Sequence, residues 1–205
     1  MLKKVTIILM FLVISLEAAF ISQTVSASEV KGVILDEPSP IKEFSLKDQN
    51  GDPFNVASLK GKWSLIFLGF THCPDVCPFT LSNLDAVRAE LANKVSPEKL
   101  PRIIFLAVDP ERDAKLLKDY VKHYGLDFTG ITGERKQIDS LVTSLDGFYR
   151  LEKKNKQDEA YNVTHSAAIA FISPQGDVIA KISPPMKPFQ TANYLFTLMH
   201  KFKTN

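Results

Sequence analysis

A mixed α/β sandwich is the fold class that this sequence predicts, and three observations carry the prediction. Residues 63–70 (WSLIFLGF) and 103–108 (IIFLAV) are near-continuous apolar runs, the pattern of strands covered on both faces. Stretches with helical apolar spacing follow each run, so strands alternate with helices. Residues 166–172 and 178–182 then flank the turn Pro174-Gln175-Gly176-Asp177, and a last amphipathic stretch follows. That order reads as a hairpin and a helix. The chain has 205 residues, 45% of them hydrophobic and 23% charged. This is enough for one ordinary domain and excludes disorder and fibrous repeats. Twenty-five Lys+Arg against 23 Asp+Glu leave a net charge of +2 with no basic block, so no nucleic acid partner is expected.

The elements follow in order. Residues 1–27 stand apart from the fold: Lys3 and Lys4 open the chain, residues 5–16 are almost wholly apolar, and Val25-Ser26-Ala27 offers a small-residue exit. This is the pattern of a signal peptide. The rival is a membrane anchor, because residues 5–22 number 18, barely enough to span a bilayer. Either way the rest of the chain is exported. Residues 28–42, with Pro38 and Pro40, read as a linker or arm, and residues 43–205 as one domain. Residues 44–46 and 54–56 about the Asn50-Gly51 turn predict a small hairpin. The strand at 63–70 leads to a helix at 81–91 with Leu81, Leu84, Val87 and Leu91 on one face. After the strand at 103–108, Asp109 is placed as an N-cap and Pro110 as the first helical residue. The helix continues over 113–124 and stops at Gly125. A third helix is expected at 134–145, a short strand at 148–151, then the hairpin. Pro184-Pro185 terminates its second strand, and a helix closes the chain at 189–203. The order β-α-β-α-β-β-α is that of a thioredoxin-like fold: a central mixed sheet flanked by helices, with a C-terminal hairpin and helix.

The chemistry-bearing segment is Thr71-His72-Cys73-Pro74-Asp75-Val76-Cys77-Pro78. It follows the first apolar strand and precedes a helix. Its thiols therefore sit at the strand's C-terminal exit, where open α/β sheets place ligands. A helix N-terminus there is expected to lower a thiol pKa. Cys73 and Cys77 are the chain's two cysteines. An exported chain of this length needs no disulfide framework, and a bridge across so short a loop would constrain the unfolded state little. Their role is chemical. The three intervening residues differ from the Cys-x-x-Cys redox pattern. At i and i+4 of a helix the Cα atoms lie about 6 Å apart. That separation admits a disulfide and equally suits two thiolates converging on one ion.

T-H-C-P-D-V-C-P-x-x-L after an apolar strand, V-D-P-E-R-D after the next, and V-T-H-S before the hairpin together resemble the Sco/SenC family of copper-binding proteins. The resemblance runs from about Phe44 to Phe202. It implies a thioredoxin-like fold and one copper held by two cysteines and a distant histidine, here Cys73, Cys77 and His165. One departure is visible: where the family often has Asp before that histidine, this chain has Thr164. Two thiolates and an imidazole suit Cu(I) and tolerate Cu(II); zinc accepts the same donors. Other candidates are weaker. His72 reads as a solvated loop residue, Asp109 as a cap, His123 and His200 as surface or packing residues, and the sequon Asn162-Val163-Thr164 as unused.

The implied function is that of an exported metallochaperone at the bacterial periplasm or the outer face of the cytoplasmic membrane. Its partner would be the copper-bearing subunit of cytochrome c oxidase, with other copper chaperones or thiol reductants as further partners. It would deliver copper or prepare the subunit's thiols, and a Cys73–Cys77 redox disulfide would abolish metal binding. No catalytic residue is implied. The alternative is a thiol–disulfide oxidoreductase or thiol peroxidase in which Cys73 attacks and Cys77 resolves.

Overall fold

The computed structural model describes residues 30–202 except 126, 156, 157 and 159. The expected signal peptide or anchor at 1–27 lies outside the described residues. Among those described, no helix is long and apolar enough to cross a membrane.

Among the described residues ten strands form two sheets. Strands β1 (Gly32–Pro40), β2 (Ser45–Asp48), β3 (Pro53–Asn55), β4 (Ser64–Gly69), β5 (Arg102–Ala107), β6 (Phe128–Thr132), β9 (Ile169–Ile172) and β10 (Asp177–Ile182) make an eight-stranded sheet. Its order is β1-β10-β9-β4-β5-β6-β2-β3. Strands β4, β5 and β6 are parallel, with Ser64 opposite Arg102 and Gly69 opposite Ala107, and β9 joins β4 antiparallel. Strands β7 (Tyr149–Leu151) and β8 (Val163–His165) pair apart as a two-stranded ribbon. The helices are α1 (Val56–Leu59), α2 (Val76–Ala92), α3 (Pro110–Asp113), α4 (Leu117–Tyr124), α5 (Arg135–Ser144) and α6 (Pro188–Lys201).

Alternation along the central strands builds two cores. Leu65, Phe67, Ile103, Phe105, Ile169 and Phe171 point to the face covered by α2, α4 and α6. Ile66, Leu68, Ile104, Leu106, Ala170 and Ile172 point to the face covered by α1 and α5. Both faces are buried, which is why β4 and β5 read as near-continuous apolar runs.

Four expectations are corrected. The segment read as a linker or arm forms β1, pairing antiparallel with β10; its exposed side chains and prolines suit an edge strand. Strand β6 went unread because its sequence is FTGIT. Gly130 is required there, since a Cβ would come within 2.6 Å of Leu117 Cδ1 on α4. The helix expected over 113–124 is instead two helices, α3 ending at Asp113 and α4 beginning at Leu117. The strand expected at 166–172 begins at Ile169, and His165 closes a separate short strand, β8, ahead of it. Ser166 bridges the change of sheet: its N–H donates to the Phe148 carbonyl, and its hydroxyl accepts from the Phe148 N–H.

Candidate metal centre

Strand β4 ends at Gly69 and α2 begins at Val76, so the intervening turn carries Cys73 while Cys77 sits in the first turn of the helix. Cys73 is half-buried and its N–H donates to the Phe70 carbonyl at 3.2 Å. Cys77 is fully buried, and its N–H donates to Cys73 Sγ at 3.4 Å. Both thiols are free. Burial foremost, with the neighbouring Cys73 adding to it, pushes the Cys77 thiol well above its ordinary range. The expected lowering by the helix N-terminus is thus overridden at Cys77. A helix end supplies about 0.3–1 kcal/mol, whereas full burial shifts a group by up to about 3–5 pKa units.

His165 reaches this pair from the ribbon. Its Nε2 lies 3.6 Å from Cys77 Sγ, and its Nδ1 lies 3.0 Å from the Ser166 carbonyl. A carbonyl only accepts, so Nδ1 carries the proton and Nε2 turns its lone pair to the sulfur. Phe67 and Phe70 stand edge-on to the ring at 5.9 and 6.3 Å. Burial holds the imidazole below its usual pKa, against the Ser166 bond. The 3.6 Å separation fits one shared ion. Bonds of about 2.3 Å to sulfur and about 2.0 Å to nitrogen, opened to 110–120°, span about 3.5–3.7 Å. Among the described residues no three such donors form a closed cluster; Cys73 meets the pair through the Cys77 N–H.

The sequence pattern of the SCO1/SenC family matches residues 35–200. The chain belongs to the SCO1/SenC family. A SCO2-like protein of Rickettsia felis is 35% identical over 154 residues, covering 75% of this chain and 74% of the relative. Among solved structures, copper-bound ScoI of Arabidopsis thaliana superposes with a TM-score of 0.71 at 27% identity, covering 78% of this chain and 98% of that one. Copper-bound ScoI of Bradyrhizobium japonicum gives 0.65 at 29%, covering 78% and 99%. The fold is the thioredoxin-like fold of these Sco structures.

Within this SCO1/SenC chain, the V-D-P-E-R-D motif holds the site together from behind. Asp109 takes the expected N-cap position before Pro110, but its side chain makes no capping bond. It is fully buried and accepts the Tyr161 hydroxyl at 2.7 and 2.9 Å and Arg112 Nε at 2.5 Å. Asp113, not singled out by the sequence, accepts from both the N–H and the hydroxyl of Thr71, at 2.8 and 2.7 Å, and so fixes the cysteine turn. Burial raises the Asp113 carboxyl above its usual value, partly offset by those Thr71 bonds. The i,i+4 spacing of Asp109 and Asp113 was the available signal; Tyr161 had none. His72 is exposed, with its Nδ1 3.1 Å from the Thr71 hydroxyl. His123 lies against Tyr124, and His200 against Phe196. Thr164, next to His165, donates its hydroxyl to Glu152 at 2.5 Å.

Proposed function

We propose that this chain is an exported copper-binding assembly factor that holds one copper ion, Cu(I) or Cu(II), through Cys73, Cys77 and His165. Its acceptor is the copper-bearing subunit of cytochrome c oxidase, which it loads with metal or prepares by thiol exchange. The observation that carries this reading is the 3.6 Å approach of His165 Nε2 to Cys77 Sγ across 88 residues of sequence. Copper is cargo, and the donors are arranged for exchange. The proton on Nδ1 leaves the Nε2 lone pair free, whereas Cys77 gives up its proton when the ion enters. Disulfide formation sends two electrons and two protons to an oxidant and withdraws both sulfurs, so the redox state of the pair switches binding. Exposed Val76 and Phe79 on α2 and Phe148 beside the ribbon supply apolar surface for a partner, and the small net charge offers no strong steering field. The domain would act at the bacterial periplasm or the outer face of the cytoplasmic membrane, with other copper chaperones or thiol reductants upstream.

A second reading has its own observation. Cys73 is half-buried and Cys77 fully buried, the arrangement of an attacking and a resolving thiol in an oxidoreductase. Copper titration of the reduced and the oxidised protein separates the two. The chaperone reading expects one equivalent bound when reduced and almost none when oxidised. Equal retention in both states, or no binding in either, refutes it.

A further inference from the structure

Beside the donor pair, a second constellation links the motif turn to the histidine. Arg112 donates from Nε to Asp109 Oδ2 at 2.5 Å and from Nη1 to the Tyr161 carbonyl at 2.9 Å. Its guanidinium carbon stands 3.7 Å from the centroid of the Tyr161 ring and 5.6 Å from that of Phe70. Phe70 in turn meets the His165 ring edge-on at 6.3 Å. Tyr161, Arg112, Phe70 and His165 thus form one contiguous row of planar groups. The row begins four residues before His165 in sequence and returns to it through space.

The arrangement is costly as pure scaffolding. Asp109 is fully buried, and Arg112 Nη2 is buried without a hydrogen-bond partner. Buried ion pairs seldom stabilise a fold more than well-packed apolar side chains would. What apolar residues lack is the flat, rigid fork of arginine, which stacks on rings while bonding in its own plane. The ribbon needs such an anchor, because β7 and β8 pair over three residues each and a small two-stranded ribbon has little stability of its own. The turn that carries Arg112 also carries Asp113, which holds Thr71 and with it the cysteine turn.

We infer that Arg112 is a positioning residue for His165: clamped on Asp109 and Tyr161 and stacked towards Phe70, it sets the imidazole opposite Cys77. One short helix, α3, thereby fixes the spacing between the cysteine turn and the histidine strand. The inference rests on the reading of Cys73, Cys77 and His165 as the copper ligands.

Two variants of the full domain test it. Arg112→Lys keeps the charge and loses the flat face and the Nη1 bond; Tyr161→Phe keeps the ring and loses the bonds to Asp109. Copper(I) affinity of the reduced protein, read by competition with a chromophoric chelator, should fall about 10- to 100-fold in Arg112→Lys, as loss of support behind a ligand does. It should fall less in Tyr161→Phe. In the metal-free protein, the ring-proton signals of His165, shifted in the parent by the edges of Phe67 and Phe70, should move towards ordinary imidazole positions. A merely structural role lowers thermal stability while leaving the His165 signals and the copper affinity of the folded protein at parental values, and that result overturns the inference. If Arg112→Lys does not fold, Tyr161→Phe carries both measurements. If the parent binds no copper, the ligand reading fails by itself, and unchanged His165 signals in the metal-free variants still overturn the positioning role.

Discussion

Gly69→Ala is the sharpest probe of how the buried cysteine is seated. Gly69 is the last residue of β4, and its backbone is ordinary extended strand, so the need for glycine is steric. A Cβ placed there would collide with Phe105 Cε2 and stand 3.0 Å from Cys77 Sγ. Phe105 has little room to yield, because its ring lies between Phe67 at 6.2 Å and Tyr120 at 5.1 Å. Overfilling a core typically costs about 1–3 kcal/mol, and a blocked neighbour puts this case near the top, at about 3 kcal/mol. For a chain of this size that lowers Tm by about 6–12 °C. The added Cβ also presses on Cys77 Sγ, and any shift of that sulfur away from β4 spoils the approach to His165, so copper affinity of the folded protein should fall about tenfold. Thermal unfolding followed by circular dichroism and a chelator competition read the two effects. A change below about 0.5 kcal/mol with parental copper affinity would show that Cys77 is not held against Gly69 in this way.

Three further outcomes follow from the same geometry. His165→Ala should weaken copper binding strongly and leave thiol–disulfide exchange by Cys73 and Cys77 largely intact, since exchange uses the sulfurs alone; parental affinity in a chelator competition would return His165 to a packing role. Asp109→Ala leaves Arg112 and the Tyr161 hydroxyl without their buried acceptor and should cost about 3–5 kcal/mol in urea unfolding, whereas a loss below 1 kcal/mol would mean that the pair is solvated. Burial raises the Asp113 carboxyl above its ordinary 3.8, so its favourable share of stability is complete below that pH and is lost as pH rises through the folded value. The stability of the parent relative to Asp113→Asn should therefore decline from about pH 4 upward, and a flat difference across unfolding series at several pH values contradicts a raised carboxyl.

Legibility in the sequence tracked how local each cause was. Strands β4 and β5 were plain because burial on both faces leaves nothing but apolar side chains, and α2 was plain because its core residues recur at helical spacing. Strand β6 was hidden for the converse reason: Gly130 and two threonines are dictated by α4 packing above and by neighbouring strands, neither of which is visible in five residues. Strand β1 looked like a linker because an edge strand with exposed faces has no hydrophobic period to display. At the site, Cys73 and Cys77 stood out by residue type and spacing. His165 was legible through its motif and not through any property of a lone histidine. Asp109 was read correctly as the N-cap position before a proline, but its side-chain partners Arg112 and Tyr161 were not legible, because Tyr161 is 52 residues away in sequence. Tyr161 sits in a charged connecting stretch, and nothing within that stretch marks it as the residue that reaches the end of β5.

The three proposed donors are held with very different stiffness, and this bears on how cargo would leave. Cys77 is packed in the same core as Phe67, Leu81 and Phe105, so moving its sulfur means repacking a close-packed interior. Cys73 lies on a turn, half-buried, tied through its backbone N–H to Phe70 and through its sulfur to the Cys77 N–H. His165 depends on a three-residue ribbon, on two aromatic edges and on the Asp109 and Arg112 bonds to Tyr161. Local opening is cheapest where few buried contacts must be broken. If these three donors held a copper ion, the imidazole would be the first to yield, Cys73 the next, and Cys77 the last. Exchange with a partner would then proceed from the half-buried Cys73 and His165 inward, with the fully buried Cys77 sulfur the last to release the ion.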